Sequence, residues 1–178
     1  NPNPYDSEAY FDLGLCLFYQ ERMEEAYDAF YKSTWTAAQQ ETGFYYLAAI
    51  DCRRGNFENA LTHIEQSLVK NWHNLKARAL KGRILDRLDR KEEAAGWYQQ
   101  NLVVDAFDYS SRIASGDVQG ACRLMGERIS SYLECAIDHA EAGMYRQALD
   151  ILDLCPKDSP LLHYYKAFYT EKKQTETK

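Results

Sequence analysis

The stretch 41–60, ETGFYYLAAIDCRRGNFENA, sets Ala48 twelve positions before Ala60, with Arg54-Gly55-Asn56-Phe57 between them. Gly55 can take the left-handed backbone conformation that ends a helix, so this stretch reads as two helices joined by a tight turn. The same spacing recurs outward in both directions. Gly14 precedes Ala26 and Gly82 precedes Ala94, and positions 14, 48 and 82 are evenly spaced. A further pair, Ala136 and Ala148, follows Gly82 after one more such period plus an insertion. Small residues at fixed spacing mark where two antiparallel helices cross with their backbones close. One such pair cannot bury its apolar face alone, so a chain built of them must stack.

A period of 34 with small residues at the eighth and twentieth positions resembles the tetratricopeptide repeat. With repeats starting at Ser7, Glu41 and Leu75, the fourth position holds Tyr10, Phe44 and Arg78, and the seventh Leu13, Leu47 and Lys81. The twenty-fourth holds Phe30, Ile64 and Tyr98, and the repeat from Ile129 offers Tyr132, Cys135 and Leu152 at the three places. Arg78 and Lys81 depart from the apolar pattern, so the third repeat is expected to pack less regularly or to snorkel its charges. The resemblance implies an all-α fold, a right-handed superhelix (α-solenoid) of helix-turn-helix hairpins. The expected organisation is a single domain over 1–178, with repeats at 7–40, 41–74 and 75–108, a degenerate insertion at 109–128 and a repeat at 129–162. A C-terminal capping helix is expected at 160–170.

Helices are expected near 6–20, 23–37, 40–54, 57–70, 74–88, 91–104, 128–142 and 145–154. Within the insertion, 106–114 and a segment reaching Met125 read as short helices around the turn Ser115-Gly116-Asp117. After Pro156 and Pro160, the residues Leu161, Leu162, Tyr165, Phe168 and Tyr169 fall on one helix face, as a terminal cap requires. The tail from Glu171 is polar and reads as frayed. The runs 26–35, 50–55 and 74–78 also resemble the tetratricopeptide regions of large bacterial proteins that carry a β-rich domain of uncharacterised function. With the opening Asn1-Pro-Asn-Pro4, which reads as a linker, this likeness leads to the expectation that the chain is a piece of a longer protein, and a signal peptide on the parent is compatible with it.

The chain of 178 residues is 46% hydrophobic and 27% charged, the balance of a globular protein. No apolar run is long enough for a membrane span. The net charge of -6 disfavours nucleic acid and anionic membrane as partners. Residues 70–91 nonetheless carry eight basic and two acidic side chains, a basic island in an acidic molecule. Five cysteines without a CxxC pair read as buried free thiols in a reducing compartment, the cytoplasm. Cys135 and His139 are two ligands of one helix face and make no metal site. No nucleophile elbow, phosphate loop or metalloprotease motif occurs, and the carboxylate pairs Glu24-Glu25 and Glu92-Glu93 begin helices, where they complement the dipole. His63 and His73 are placed at a helix's exposed face or end. The chain is therefore read as non-catalytic, without cofactor or metal.

The resemblance implies that the first helix of each hairpin lines a concave surface. The first three repeats place Phe11, Phe18 and Tyr19, then Tyr45 and Arg53, then Lys76, Arg83 and Arg87 there, an aromatic patch beside a basic stripe. Neither Arg83 nor Arg87 is expected in the core. Such a groove suits a peptide or protein segment with an acidic residue near an apolar one. The alternative is a scaffold docked on another domain of its own parent chain or on a second copy. The carboxylate clamp that grips acidic chaperone tails is not expected, because its places hold Phe11, Leu15, Tyr46, Lys76 and Leu80, of which only Lys76 fits.

Overall fold

The computed structural model describes residues 6–176, and among them lie eleven α-helices, one 3-10 turn and no strand. The expected linker Asn1–Pro4 lies outside those residues. The chain divides into two compact units, Asn1–Arg90 and Lys91–Lys178. The first holds α1 (Ser7–Tyr19), α2 (Met23–Ser33), a 3-10 turn (Ala37–Gln39), α3 (Gln40–Arg53), α4 (Phe57–Lys70) and α5 (Leu75–Arg87). The second holds α6 (Lys91–Val104), α7 (Tyr109–Ala114), α8 (Val118–Met125), α9 (Ile129–Glu141), α10 (Tyr145–Asp153) and α11 (Pro160–Glu176). In the first unit α1 packs on α2, α2 on α3, α3 on α4 and α4 on α5; in the second α7 packs on α8, α9 on α10 and α10 on α11. No helix among the described residues is long and apolar enough to cross a membrane.

The small residues are buried as their spacing requires. Ala26, Ala48, Ala60, Ala136 and Ala148 are fully enclosed, Ala94 nearly so, and Gly14 and Gly82 are buried. A Cβ on Gly14 would stand 2.7 Å from the Phe30 ring, so the α1–α2 crossing admits no side chain there. Around it Leu17, Phe18, Ala29, Phe30, Leu47 and Ile50 form the core of α1, α2 and α3. The turns repeat the period: Glu21, Gly55, Asp89 and Gly143 each hold a left-handed backbone, with φ of 62°, 76°, 58° and 75°. Asp6, Asn74, Asp108 and Asp117 cap the helices that follow them, each side chain accepting a hydrogen bond from a backbone N–H in the first turn.

Several expectations are corrected. α2 stops at Ser33 rather than near 37, because the Ser33 and Thr34 hydroxyls donate to the Phe30 and Tyr31 carbonyls, each at 2.7 Å, and compete with the helix ladder. The first helix of the insertion begins at Tyr109 rather than 106, set by the Asp108 cap. α11 runs to Glu176, past the point where fraying is expected. Its buried face is Leu162, Tyr165 and Tyr169, while Leu161 and Phe168 turn outward. Leu13 is exposed, as no further helix covers that side of α1 among the described residues. Arg78 does not snorkel. It is fully buried, its guanidinium 4.6 Å from the Trp72 ring. Lys81 does reach outward, to Glu65 at 2.8 Å. Nor are all five thiols enclosed: Cys52 and Cys135 are buried, Cys122 and Cys155 partly so, and Cys16 is exposed.

Two substitutions test this framework. Replacing Ala48 with Leu overpacks the α3–α4 crossing and should cost on the order of 1–3 kcal/mol in denaturant unfolding. Gly55→Ala meets no neighbour within 4 Å, so its expected loss comes from backbone strain alone, roughly 1 kcal/mol by the same measurement. A Gly55→Ala protein as stable as the parent would show that this turn does not hold the left-handed conformation.

Candidate functional site

The eight residues expected at the binding surface all lie in the first unit, on α1, α3 and α5. α1 and α3 meet through aromatic rings. Phe11 packs at 5.6 Å from Phe30 and 5.9 Å from Tyr46. Tyr46 stacks on Phe30 with ring centroids 4.7 Å apart, and Phe18 meets Tyr46 edge-on at 5.3 Å. Phe18 is thereby enclosed, 2% exposed, and Tyr45 is also buried. These two support the surface from below, and the aromatic group that projects from it is Tyr19, 66% exposed and edge-on to Phe18 at 5.5 Å.

Of the basic residues, Arg53 builds on that layer. The Arg53 guanidinium lies 4.7 Å from the Phe18 ring, and the Arg87 guanidinium 4.5 Å from the ring of Phe57. A guanidinium laid on a ring face is held in place by cation–π attraction, with its N–H groups pointing away around the edge. Arg87 and Lys76 are exposed and Arg53 is half-buried. Arg83 is corrected: it is 6% exposed, inside the protein rather than on the open stripe. Cys52 is buried on α3, within reach of the charges of α5. Burial pushes its thiol up to about 12, against the pull of Arg83 and Arg87, whose charges reach it from α5.

Sequence reading missed a second cluster on the other side of α3. Arg54 lies over Tyr27 at 4.5 Å and pairs with Glu24 at 2.7 Å. Asp51, buried, sits 2.8 Å from Nδ1 of His63, whose ring stacks near Phe44. His63 is therefore half-buried in a polar contact between helices and not on an exposed face. The repeat register places Asp51 at the eleventh position, which the pattern reserves for a large packing residue. A carboxylate there was the available signal. Among the described residues, no group of three or more His, Cys, Asp or Glu is placed to hold a metal ion.

No family model matches this sequence, and no curated protein does. Solved structures do match in shape. The chain is similar to MamA protein with a TM-score of 0.60 at 13% identity, over 96% of this chain and 93% of that one. It is similar to YrrB, described as a TPR protein with an unusual peptide-binding site, with a TM-score of 0.58 at 14% identity over 97% and 93% of the two chains. A tetratricopeptide repeat protein from Parabacteroides merdae ATCC 43184 matches with a TM-score of 0.55 at 16% identity, over 98% of this chain and 75% of that one. Paired antiparallel helices crossing at buried small residues, a left-handed turn recurring once per repeat, and these likenesses together identify the fold of this chain as that of the tetratricopeptide-repeat proteins.

Proposed function

We propose that the first unit binds a peptide or protein segment through Tyr19, Arg53, Lys76 and Arg87, as a non-catalytic interaction scaffold. The observation that carries this reading is the pair of guanidinium groups, Arg53 and Arg87, each laid on an aromatic face, Phe18 in the packed core and Phe57 half-buried at the start of α4. Side chains already ordered in this way lose little freedom on binding, so less of the contact energy is offset by entropy. Their N–H edges suit a carboxylate, which Arg can grip in bidentate fashion. Tyr19, edge-on to the Phe18 ring that carries Arg53, offers an amphipathic ring to an apolar side chain. The partner is therefore a segment with Asp or Glu next to an apolar residue. The peptide-binding site in the description of YrrB supports the same use of the fold.

The alternative, docking on another domain of a longer parent chain or on a second copy, uses the same surface. The two are separated by fluorescence-anisotropy titration with peptides that alternate Glu and Phe, beside control peptides with Gln for Glu. The scaffold reading expects saturable binding of the acidic peptides, weakened as salt rises because exposed charges are screened over roughly 8–10 Å. Arg53→Glu with Arg87→Glu should lower affinity on the order of tenfold or more and leave the helical circular dichroism signal unchanged. Arg83 is left intact in this test, since reversing a buried charge would disturb folding as well. Equal binding by parent and double variant would remove these arginines from the site. No binding of any peptide, with a second copy or a parent domain captured instead, would favour the alternative.

A further inference from the structure

The second unit carries a cavity of about 500 Å³ that the peptide-binding reading does not use. It is lined by Cys122 of α8, by Gly126 and Tyr132, and by Leu154 and Pro156, the two chain neighbours of Cys155. Cys155 itself packs against the cluster of Ala121, Met125 and Tyr132. Tyr132 lines the cavity with Cys122 and belongs to the cluster on which Cys155 packs. Its hydroxyl donates to the Gly126 carbonyl at 3.0 Å. Burial, with the Cys122 and Cys155 thiols beside it, pushes that hydroxyl's ionisation up to about 12. Cys122 and Cys155 thus share Tyr132 as a common neighbour, one through the cavity wall and the other through the apolar cluster.

Exposure sets this pair apart from the other thiols. Cys52 and Cys135 are buried, and Cys16 lies exposed on α1 in the other unit, whereas Cys122 and Cys155 are each partly accessible. Reagents reach accessible thiols first, and the thiolate is the reacting form. Cys155 also follows the end of α10 in the non-helical stretch before Pro160. Backbone of that kind can make the adjustment that the narrow geometry of a disulfide demands.

We infer that Cys122 and Cys155 are a dithiol modification site, oxidised by a low-molecular-weight disulfide such as oxidised glutathione to an intramolecular bond at the cavity wall. In the first step one of the two thiolates attacks a sulfur of the small disulfide, forming a mixed disulfide and releasing one small thiolate. The other cysteine, as thiolate, then attacks the protein sulfur of that mixed disulfide and expels the second small thiolate. The two protons lost by the protein end on the two released thiols, so two cysteine thiols are oxidised and one small disulfide is reduced. The bond ties α8 to the segment between α10 and α11 and restricts the unfolded chain.

The test uses the full chain at low micromolar concentration, equilibrated in buffers of reduced and oxidised glutathione, acid-quenched and digested without reduction for mass spectrometry. The expected product is one cross-linked peptide pair joining Cys122 to Cys155, lighter by two hydrogens and returned to separate peptides by dithiothreitol. The oxidised protein should melt at a higher temperature than the reduced one. In Cys155→Ser protein, Cys122 should instead carry one glutathione. The inference is overturned if Cys122 and Cys155 of the parent chain each carry a separate glutathione, if they bond to a second copy, or if both stay reduced in buffers that modify Cys16.

Discussion

The close approach of paired helices at Gly14, Ala48 and their equivalents is the constraint on which the rest of the first unit depends. At Gly14 even one methyl group would enter the Phe30 ring at 2.7 Å. Because the backbones come this near, Phe30 reaches across to stack on Tyr46 of α3 and so joins the first hairpin to the second. Interiors packed at crystal density transmit such a requirement to their neighbours, since little void space absorbs a change in volume. The turn conformation follows from the same geometry. Two helices can fold back on each other over so few residues only if one residue takes a left-handed backbone, which Glu21 and Gly55 do in register.

The aromatic layer then serves a second purpose. Phe18 gives one side of its environment to the core and another to the Arg53 guanidinium. Phe57, at the start of α4, holds Arg87 in the same way. A cation over an aromatic face gains about 0.5–1 kcal/mol at an exposed site, modest for stability but enough to restrict where a long side chain points. The fold thereby converts flexible surface arginines into oriented donors, while one of its buried arginines, Arg78, has its guanidinium on Trp72 within the packing. Chemically identical side chains in one short segment thus have different tasks, decided by which ring lies beneath them and by how much solvent reaches them.

The second unit is organised by polar contacts as well as apolar ones. Asp108 accepts from the Ser111 backbone N–H at 3.0 Å and from its hydroxyl at 2.5 Å, and the Asn101 amide donates to that same hydroxyl at 3.0 Å. All three residues are buried. A hydrogen-bonded polar chain in a low-dielectric interior favours one arrangement over its alternatives, because breaking a link strands a polar group without water; the Asn101 Oδ1 at its end is buried without a hydrogen-bond partner among the described residues. It ties the start of the insertion to α6, and the insertion itself folds as the short hairpin α7–α8. Elsewhere the unit has an apolar core, in which Tyr169 of α11 packs on Tyr145 at 5.9 Å.

The pairing of helices, their approximate ends and the buried small residues were determined by the sequence itself, because each rests on local spacing, within a hairpin between crossings and from one repeat to the next between turns. The tetratricopeptide fold was legible for the same reason. Facing directions were not. Phe18, Tyr45 and Arg83 share the surface-lining spacing with Tyr19, Lys76 and Arg87, yet the first three are buried. Helical periodicity assigns a residue to a face, whereas burial depends on which neighbouring helix covers that face. That Cys122 and Cys155 both neighbour Tyr132 was equally invisible, since the two lie far apart along the chain and only packing brings them to one residue. The end of α2 at Ser33 fell to competition between hydroxyl and backbone donors, which spacing alone does not encode. Local geometry follows from the order of residues; exposure, charge environment and the company each side chain keeps are properties of the assembled tertiary structure, because they are set by groups distant along the chain.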